Sequence, residues 1–165
     1  MYGLVAVVER SSTICRSTSP ARRRIIGFKF LSLSAMRGKL DSDVCIIEGK
    51  DIFVRGCLEI PIIGHKDCFI WGVWVSVSEA SFARILELWD APVVENEPPK
   101  FGWLCNNISL YPTTLNLKTH LHLRGGSKRP SIELEPTDHP LAIDQRQGIS
   151  IKRVEEIATA LSIRH

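Results

Sequence analysis

The sequence predicts an α+β fold in which a mainly antiparallel sheet, with the element order β-β-β-α-β-β-β-α, carries two helices packed on one face. Short apolar segments separated by Gly-containing turns are typical of strands joined as hairpins. Two amphipathic stretches, each preceded by a serine that can cap a helix, indicate the two helices. Few connections are long enough for the crossover that a parallel pair requires, which favours antiparallel pairing.

The first three strands are predicted at residues 43–47, 52–61 and 69–77. In residues 52–61 apolar and polar side chains alternate, as expected for a strand with one buried face. Residues 69–77 are apolar almost throughout, which is typical of a central strand covered on at least one face. A tight turn joins these two strands, and pairing Ile63 with Cys68 across it sets the predicted register.

The helices are predicted from their caps and apolar stripes. Ser78 is the predicted N-cap of the first helix, which ends before Pro92. Ser150 is the predicted N-cap of the last helix, whose apolar side chains recur at helical spacing. Residues 136–148 are predicted to form a polar loop. The remaining strands are predicted at residues 101–105, 116–124 and 131–135, of which the last two form a hairpin.

The chain divides by composition into two parts. Residues 1–40 hold eight basic residues and one acidic residue, a net charge of +7, without a sustained amphipathic period. We expect them to form a basic arm that is disordered or atypical. Residues 41–165 hold 13 basic and 17 acidic residues, a net charge of −4, and are predicted to form a single α+β domain. Because phosphate binding depends on Lys and Arg, this net acidic part argues against a nucleic-acid partner.

Cysteine usage and hydropathy indicate the cellular setting. Five cysteines, none of them in a Cys-x-x-Cys pair, are typical of a reduced cytoplasmic protein rather than of a disulfide framework. No segment approaches the roughly 20 apolar residues that are needed to cross a bilayer. We therefore expect a soluble, cytoplasmic protein that binds neither a membrane nor a nucleic acid.

Four segments of the chain are distinctive: FIWGVWVS (residues 69–76), FGWL (101–104), LNLKT (115–119) and IELEPTDHPL (132–141). Through these segments residues 41–164 resemble a bacterial family known only as a domain of unknown function, number 2199. Members of that family usually begin with a Cys-x-x-Cys-Gly-type segment that could hold a metal, whereas Cys15 stands alone in residues 1–40 here. The resemblance therefore does not extend to residues 1–40, and it implies no activity, substrate or catalytic residue.

The last predicted hairpin gathers titratable side chains on one face. The register that places its apolar residues together sets His122 opposite Glu133 and His120 opposite Glu135. Two imidazoles and two carboxylates on one face could bind Zn²⁺ or a similar ion. They are also typical of a solvated face stabilised by cross-strand His–Glu pairs, and this interpretation is favoured. We predict no metal site.

Asp138 and His139 are the candidate catalytic residues. A carboxylate beside an imidazole in a loop could act as acid and base, or could orient a water molecule. The alternative is an Asx-type turn with an exposed histidine before Pro140. The sequence contains no Gly-rich phosphate loop, Gly-x-Ser-x-Gly or His-Glu-x-x-His motif that would name a reaction.

These observations favour a non-catalytic binding or interaction protein that recognises a small molecule or another protein. Each helix has one apolar stripe, so we expect the helices to leave one sheet face open. The residues predicted to bind a ligand on that face are Arg55, Glu59, Trp74, His120, His122, Glu133 and Glu135. One alternative is a hydrolase-type enzyme that uses Asp138 and His139 or a metal on the His120/His122 face. Another is a structural or assembly role. No cofactor is predicted, and the oligomeric state is left open.

Overall fold

A computed structural model of the chain describes residues 43–47, 51–92 and 94–162. These residues form six strands and three helices, which confirms the predicted α+β class. The strands are β1 (Val44–Ile47), β2 (Asp51–Pro61), β3 (Cys68–Val77), β4 (Lys100–Leu104), β5 (Lys118–His122) and β6 (Ser131–Leu134). The helices are α1 (Glu79–Leu88), α2 (Pro140–Gln147) and α3 (Ile151–Ser162). None of these helices is long and apolar enough to cross a membrane. The predicted basic arm, residues 1–40, lies outside the described residues.

The sheet is closed, and the prediction of a simple open antiparallel sheet is wrong in this respect. Each strand from β1 to β6 pairs antiparallel with the next one. In addition, β6 runs parallel to β2, with Cys57 opposite Ser131 and Leu58 opposite Ile132. Strands β2 to β6 therefore form a closed five-stranded mixed barrel. The parallel pair follows from geometry, because the fifth strand of an up-and-down meander runs in the same direction as the first.

Along the edge of β2 that faces β6, the backbone N–H and C=O groups form hydrogen bonds with several different segments of the chain. The N–H groups of Arg55 and Cys57 donate to the carbonyls of Asp43 (2.8 Å) and Pro130 (2.9 Å). The carbonyls of Glu59 and Pro61 accept from the Gln145 side chain (3.4 Å) and from the Ile149 N–H (2.8 Å). Of these four contacts, the one from Gln145 comes from a side chain rather than from main chain. This amide also donates to the carbonyl of Ile132 (2.7 Å) and accepts from the N–H of Leu134 (2.8 Å). Gln145 thus bridges β2 and β6 beyond their short parallel pairing.

The predicted polar loop at residues 136–148 contains α2, so the helix count of two is corrected to three. Its sequence gives a weak apolar pattern, since only Leu141 and Ala142 are buried in it. His139 is its N-cap, and Pro140 occupies the first turn, where a missing N–H costs nothing. The helix packs against β2 and β6, which places Gln145 at the seam of the barrel.

The other two helices begin at the predicted caps. Ser78 Oγ accepts a hydrogen bond from the Ser81 N–H at 3.2 Å, and Ser150 Oγ accepts one from the Arg153 N–H at 3.1 Å. Their buried side chains join the same hydrophobic core as the inner face of the barrel; they are Phe82 and Ile85 on α1, and Val154 and Ile157 on α3. The prediction that helices cover one face of an open sheet is replaced by this shared core.

Both hairpin registers differ from the predicted ones by two residues. Cys68 lies opposite Pro61 rather than Ile63, and His120 lies opposite Glu133 rather than Glu135. Because side chains alternate with a period of two, a shift of two residues leaves every side chain on its predicted face. The predicted division into an apolar and a polar face therefore holds, with the apolar face inside the barrel.

Candidate binding surface

The outer face of the barrel carries all the residues that the sequence predicts to bind a ligand. On each strand they occupy the positions that alternate with buried ones, or the position directly after the strand. They are Arg55 and Glu59 on β2, Trp74 on β3, His120 and His122 on β5, Glu133 on β6, and Glu135 directly after β6. Because the sheet closes on itself, these residues are distributed around a cylinder and do not share one flat face. Two sectors with different chemistry result.

The first sector is an exposed group of rings, Phe101, Trp103 and His120, which we call the aromatic patch. Phe101 and Trp103 are each 41% exposed on β4. Their ring centroids lie 5.1 Å apart in a T-shaped arrangement, and the His120 ring lies 6.2 Å from Phe101. Strand β4 pairs with β3 on one side and β5 on the other, so the rings stand on fixed backbone. Gly102 and Leu104 alternate with these two rings and are buried. This alternation in the sequence indicated that Phe101 and Trp103 would be exposed, but the sequence analysis did not use it.

Charged side chains border the aromatic patch on β5 and β6. His120 Nε2 lies 3.5 Å from Glu135 Oε1, and Lys118 Nζ lies 3.8 Å from the other oxygen of that carboxylate. His122 Nε2 lies 2.8 Å from Glu133 Oε2. The predicted His–Glu contacts therefore exist, although they run diagonally between the strands. Within the described part of the chain, no three His, Cys, Asp or Glu side chains come together in a way that could hold a metal ion.

The second sector surrounds Cys57 on β2 and contains Arg55, Arg124 and Arg129, which we call the arginine cluster. Arg124 Nη2 donates to Glu59 Oε1 at 2.5 Å, and Arg129 Nε donates to Asp43 Oδ1 at 2.7 Å. These contacts join residues that are 65 and 86 positions apart in the sequence, so no local pattern indicates them. Neither of these two ion pairs was predicted from the sequence.

Cys57 and Arg55 complete this second sector. Burial raises the pKa of the Cys57 thiol, and the positive charges of the arginine cluster offset this only in part. The Arg55 guanidinium lies across Gly72, with Nη2 at 3.6 Å from the position that a Cβ would take there. Trp74 is the direct cross-strand neighbour of Arg55 and is half-buried on the outer face. Arg55 and Trp74 are therefore direct neighbours, and Glu59 lies four residues further along β2.

Asp138 and His139 are positioned as the start of a helix. The Nδ1 atom of His139 accepts a hydrogen bond from the Leu141 N–H at 3.1 Å. Asp138 is exposed, and the described contacts of His139 do not include its carboxylate. The imidazole is thereby committed to capping α2 in this structure.

An ion network fixes the start of β4, directly before Phe101. Arg84 Nη2 lies 2.8 Å from Glu97 Oε2, and Lys100 Nζ lies 2.6 Å from Glu97 Oε1. Hydrogen bonds from Arg84 and Lys100 lower the pKa of Glu97 from 4.5 to about 2. The network ties α1 to the strand that carries the aromatic patch.

The Glu97 network should give the protein a measurable pH dependence. Since the pKa is lowered in the folded state, the stabilisation is complete above the unfolded value of 4.5 and is lost as the pH falls to about 2. We expect the melting temperature of the wild type to exceed that of Glu97→Gln near neutral pH, and the gap to close across this acidic range. Glu95→Gln removes an exposed carboxylate from the same loop and should show no such gap. A gap for Glu97→Gln that is independent of pH would contradict this role.

The fold and the outer surface together define an α+β protein whose closed sheet displays aromatic and charged side chains. Residues 19–149 match the family described as uncharacterised proteins conserved in bacteria (DUF2199), and the chain belongs to that family. The match confirms the resemblance and begins at residue 19, upstream of the expected start at residue 41. No curated protein and no solved structure matches the chain.

Proposed function

We propose that this protein is a non-catalytic binding module that recognises a segment of a partner protein through the aromatic patch. The exposure of Phe101 and Trp103, 41% each, is the observation that carries the proposal. Large rings left exposed to water on a rigid sheet supply much contact area, and few rotatable bonds must be ordered when they bind. Such rings are typical of the residues that contribute most to binding at protein interfaces.

The surroundings of the aromatic patch favour a protein segment over a charged small molecule. Lys118 and Glu135 border the rings with opposite charges, and Glu133 adds a further carboxylate. An apolar centre with a mixed polar rim is the usual composition of a protein interface. An apolar side chain of the partner would pack against Phe101 and Trp103, while its polar groups would meet the rim.

Truncating Trp103 should therefore abolish recognition without unfolding the protein. Peptides selected from a random library on the wild-type protein are expected to bind Trp103→Ala at least about ten-fold more weakly, as is usual for a central aromatic side chain. The melting temperature should change little, because the residue is 41% exposed, is not part of the buried core and has its ring contact with Phe101, which is itself exposed. Affinity is measured by calorimetry and stability by thermal denaturation of the same samples.

Ile63→Ala provides the matched control. Ile63 is 62% exposed just after β2 and belongs to neither sector, so its removal takes away exposed apolar surface elsewhere. The selected peptides should bind this variant with wild-type affinity. Equal affinity for wild type and Trp103→Ala, or the failure of the library to yield any specific peptide, would contradict the proposal.

A further inference from the structure

Arg55 has no ion-pair partner among the carboxylates of the described residues, although its neighbours in the arginine cluster each have one. Arg124 and Arg129 each use a single nitrogen in those contacts, so the rest of their N–H groups remain for other acceptors. The Arg55 guanidinium is therefore not matched by a described carboxylate, and a guanidinium group in that situation is well suited to bind an anion.

The three arginines of the cluster are held near Cys57 by strand β2 and by two carboxylates. Arg55, Cys57 and Glu59 point outward from alternate positions of β2, which sets them about 7 Å apart in turn. Glu59 holds Arg124 on one side of Cys57. On the other side, Asp43 holds Arg129 through its carboxylate and accepts the backbone N–H of Arg55 through its carbonyl. Three arginines and two carboxylates leave one positive charge in excess.

The floor between these arginines is made of small residues. Gly72 lies opposite Cys57 on β3, and Ser131 lies opposite it on β6. Gly72 has no side chain and Ser131 contributes a hydroxyl donor, so an anion can approach the strands closely. The Cys57 thiol is held in its uncharged form because burial raises its pKa, and it therefore does not repel an anion.

We propose that the arginine cluster is an anion site that holds the phosphate group of a small phosphorylated ligand above Cys57, Gly72 and Ser131. Gly72, Glu59 and Asp43 each hold one of the three guanidinium groups near Cys57, so three groups can supply donors to the three terminal oxygens of a phosphate, whereas a carboxylate offers only two. Planar N–H forks are the protein groups best suited to phosphate oxygens. The site shares no residue with the aromatic patch, so a test of phosphate binding does not depend on whether the proposed protein partner exists.

Inorganic phosphate is the probe for this site. We expect calorimetry on the full chain at low ionic strength to show phosphate binding that chloride at matched ionic strength does not reproduce. Arg55→Ala should weaken phosphate binding at least about ten-fold, as expected for a lost charge-assisted contact. The melting temperature without phosphate should stay at the wild-type value, since Arg55 makes no ion pair with a described carboxylate.

Arg146→Ala is the matched control, because Arg146 is an exposed arginine on α2 whose described contact is one hydrogen bond to the Thr137 carbonyl. It should bind phosphate as the wild type does, and Arg55→Lys, which keeps the charge and loses the fork, should be intermediate. Undetectable phosphate binding, or equal affinity in wild type and Arg55→Ala, would overturn the site. Acetate that binds as tightly as phosphate would overturn its assignment to a phosphate group.

Discussion

Replacing Gly102 with alanine is expected to destabilise the protein by about 3 kcal/mol or more, the upper range for an overpacked interior. Gly102 faces the inside of the barrel on β4 and is buried. A Cβ at this position would lie 2.4 Å from Val75 Cγ1 and 2.6 Å from the Ser76 carbonyl oxygen. That carbonyl belongs to β3, which is paired to β4 at this point, so it cannot move aside without separating the strands.

Chemical denaturation of Gly102→Ala and Gly72→Ala measures how much each substitution changes the free energy of unfolding. Gly72 is also on a central strand, but on the outer face, where the nearest atoms to an added Cβ are at 3.6 and 3.8 Å on the flexible Arg55 side chain. Gly72→Ala should be neutral or slightly stabilising, because alanine has less backbone entropy to lose on folding. Similar stabilities for the two variants would mean that the barrel interior is not packed as described.

Gln145→Leu is expected to have the second large effect, roughly 2–5 kcal/mol of lost stability. The substitution keeps an apolar stem and removes the amide that bridges β2 and β6. It leaves the Leu134 N–H and the Ile132 carbonyl without their side-chain partner. Both residues are almost fully buried, at 4% and 0% exposure, so water cannot readily replace the amide.

Gln147→Leu tests the same change of side chain two residues away on α2. Gln147 is exposed, so its replacement should leave the melting temperature within about 2 °C of wild type. Gln145→Leu should melt about 4–20 °C lower, since a chain of this size loses roughly 2–4 °C for each kcal/mol of stability. A wild-type melting temperature for Gln145→Leu would show that the amide does not contribute to closing the barrel.

The sequence indicated the strands and their faces well because period-two alternation is local. The positions predicted to face the core proved to be buried, whereas Trp74 and the apolar residues Phe53 and Ile70 lie on the outer face; the buried ones are Ile52, Val54, Leu58, Ile60, Phe69, Trp71, Val73 and Val75. The register error of two residues did no harm, since turn length and not side-chain alternation determines which of two equivalent pairings forms. The caps Ser78 and Ser150 were equally local signals, and both were confirmed.

Closure of the sheet and helix α2 were not visible in the sequence for physical reasons. The pairing of β6 with β2 sets Cys57 opposite Ser131, which is 74 residues later in the chain. The sequence of neither segment shows whether the edge of its strand is paired with another strand or exposed to water. Helix α2 buries only Leu141 and Ala142, too few residues to produce a helical apolar period. Its stability comes instead from contacts with β2 and β6 that exist only in the folded protein.

The candidate site was foreseen in part. The residues predicted from alternation, such as Arg55 and His122, lie on the outer face, but their grouping depends on the curvature of a closed sheet. Arg124 and Arg129 belong to the arginine cluster because of ion pairs with distant residues, which a linear pattern cannot contain. Phe101 was accessible to the same alternation argument and was overlooked.

The four tryptophans allow the most direct test of the proposed binding surface. Trp71 and Trp89 are buried at 1% and 4% exposure, Trp74 is half-buried beside Arg55, and Trp103 lies in the aromatic patch. Nuclear magnetic resonance resolves one indole N–H signal for each, and Trp→Phe variants assign them. When a selected peptide is added, we expect the Trp103 signal to shift most while those of Trp71 and Trp89 stay in place. A peptide that saturates the protein and leaves the Trp103 signal unmoved would contradict binding at the aromatic patch.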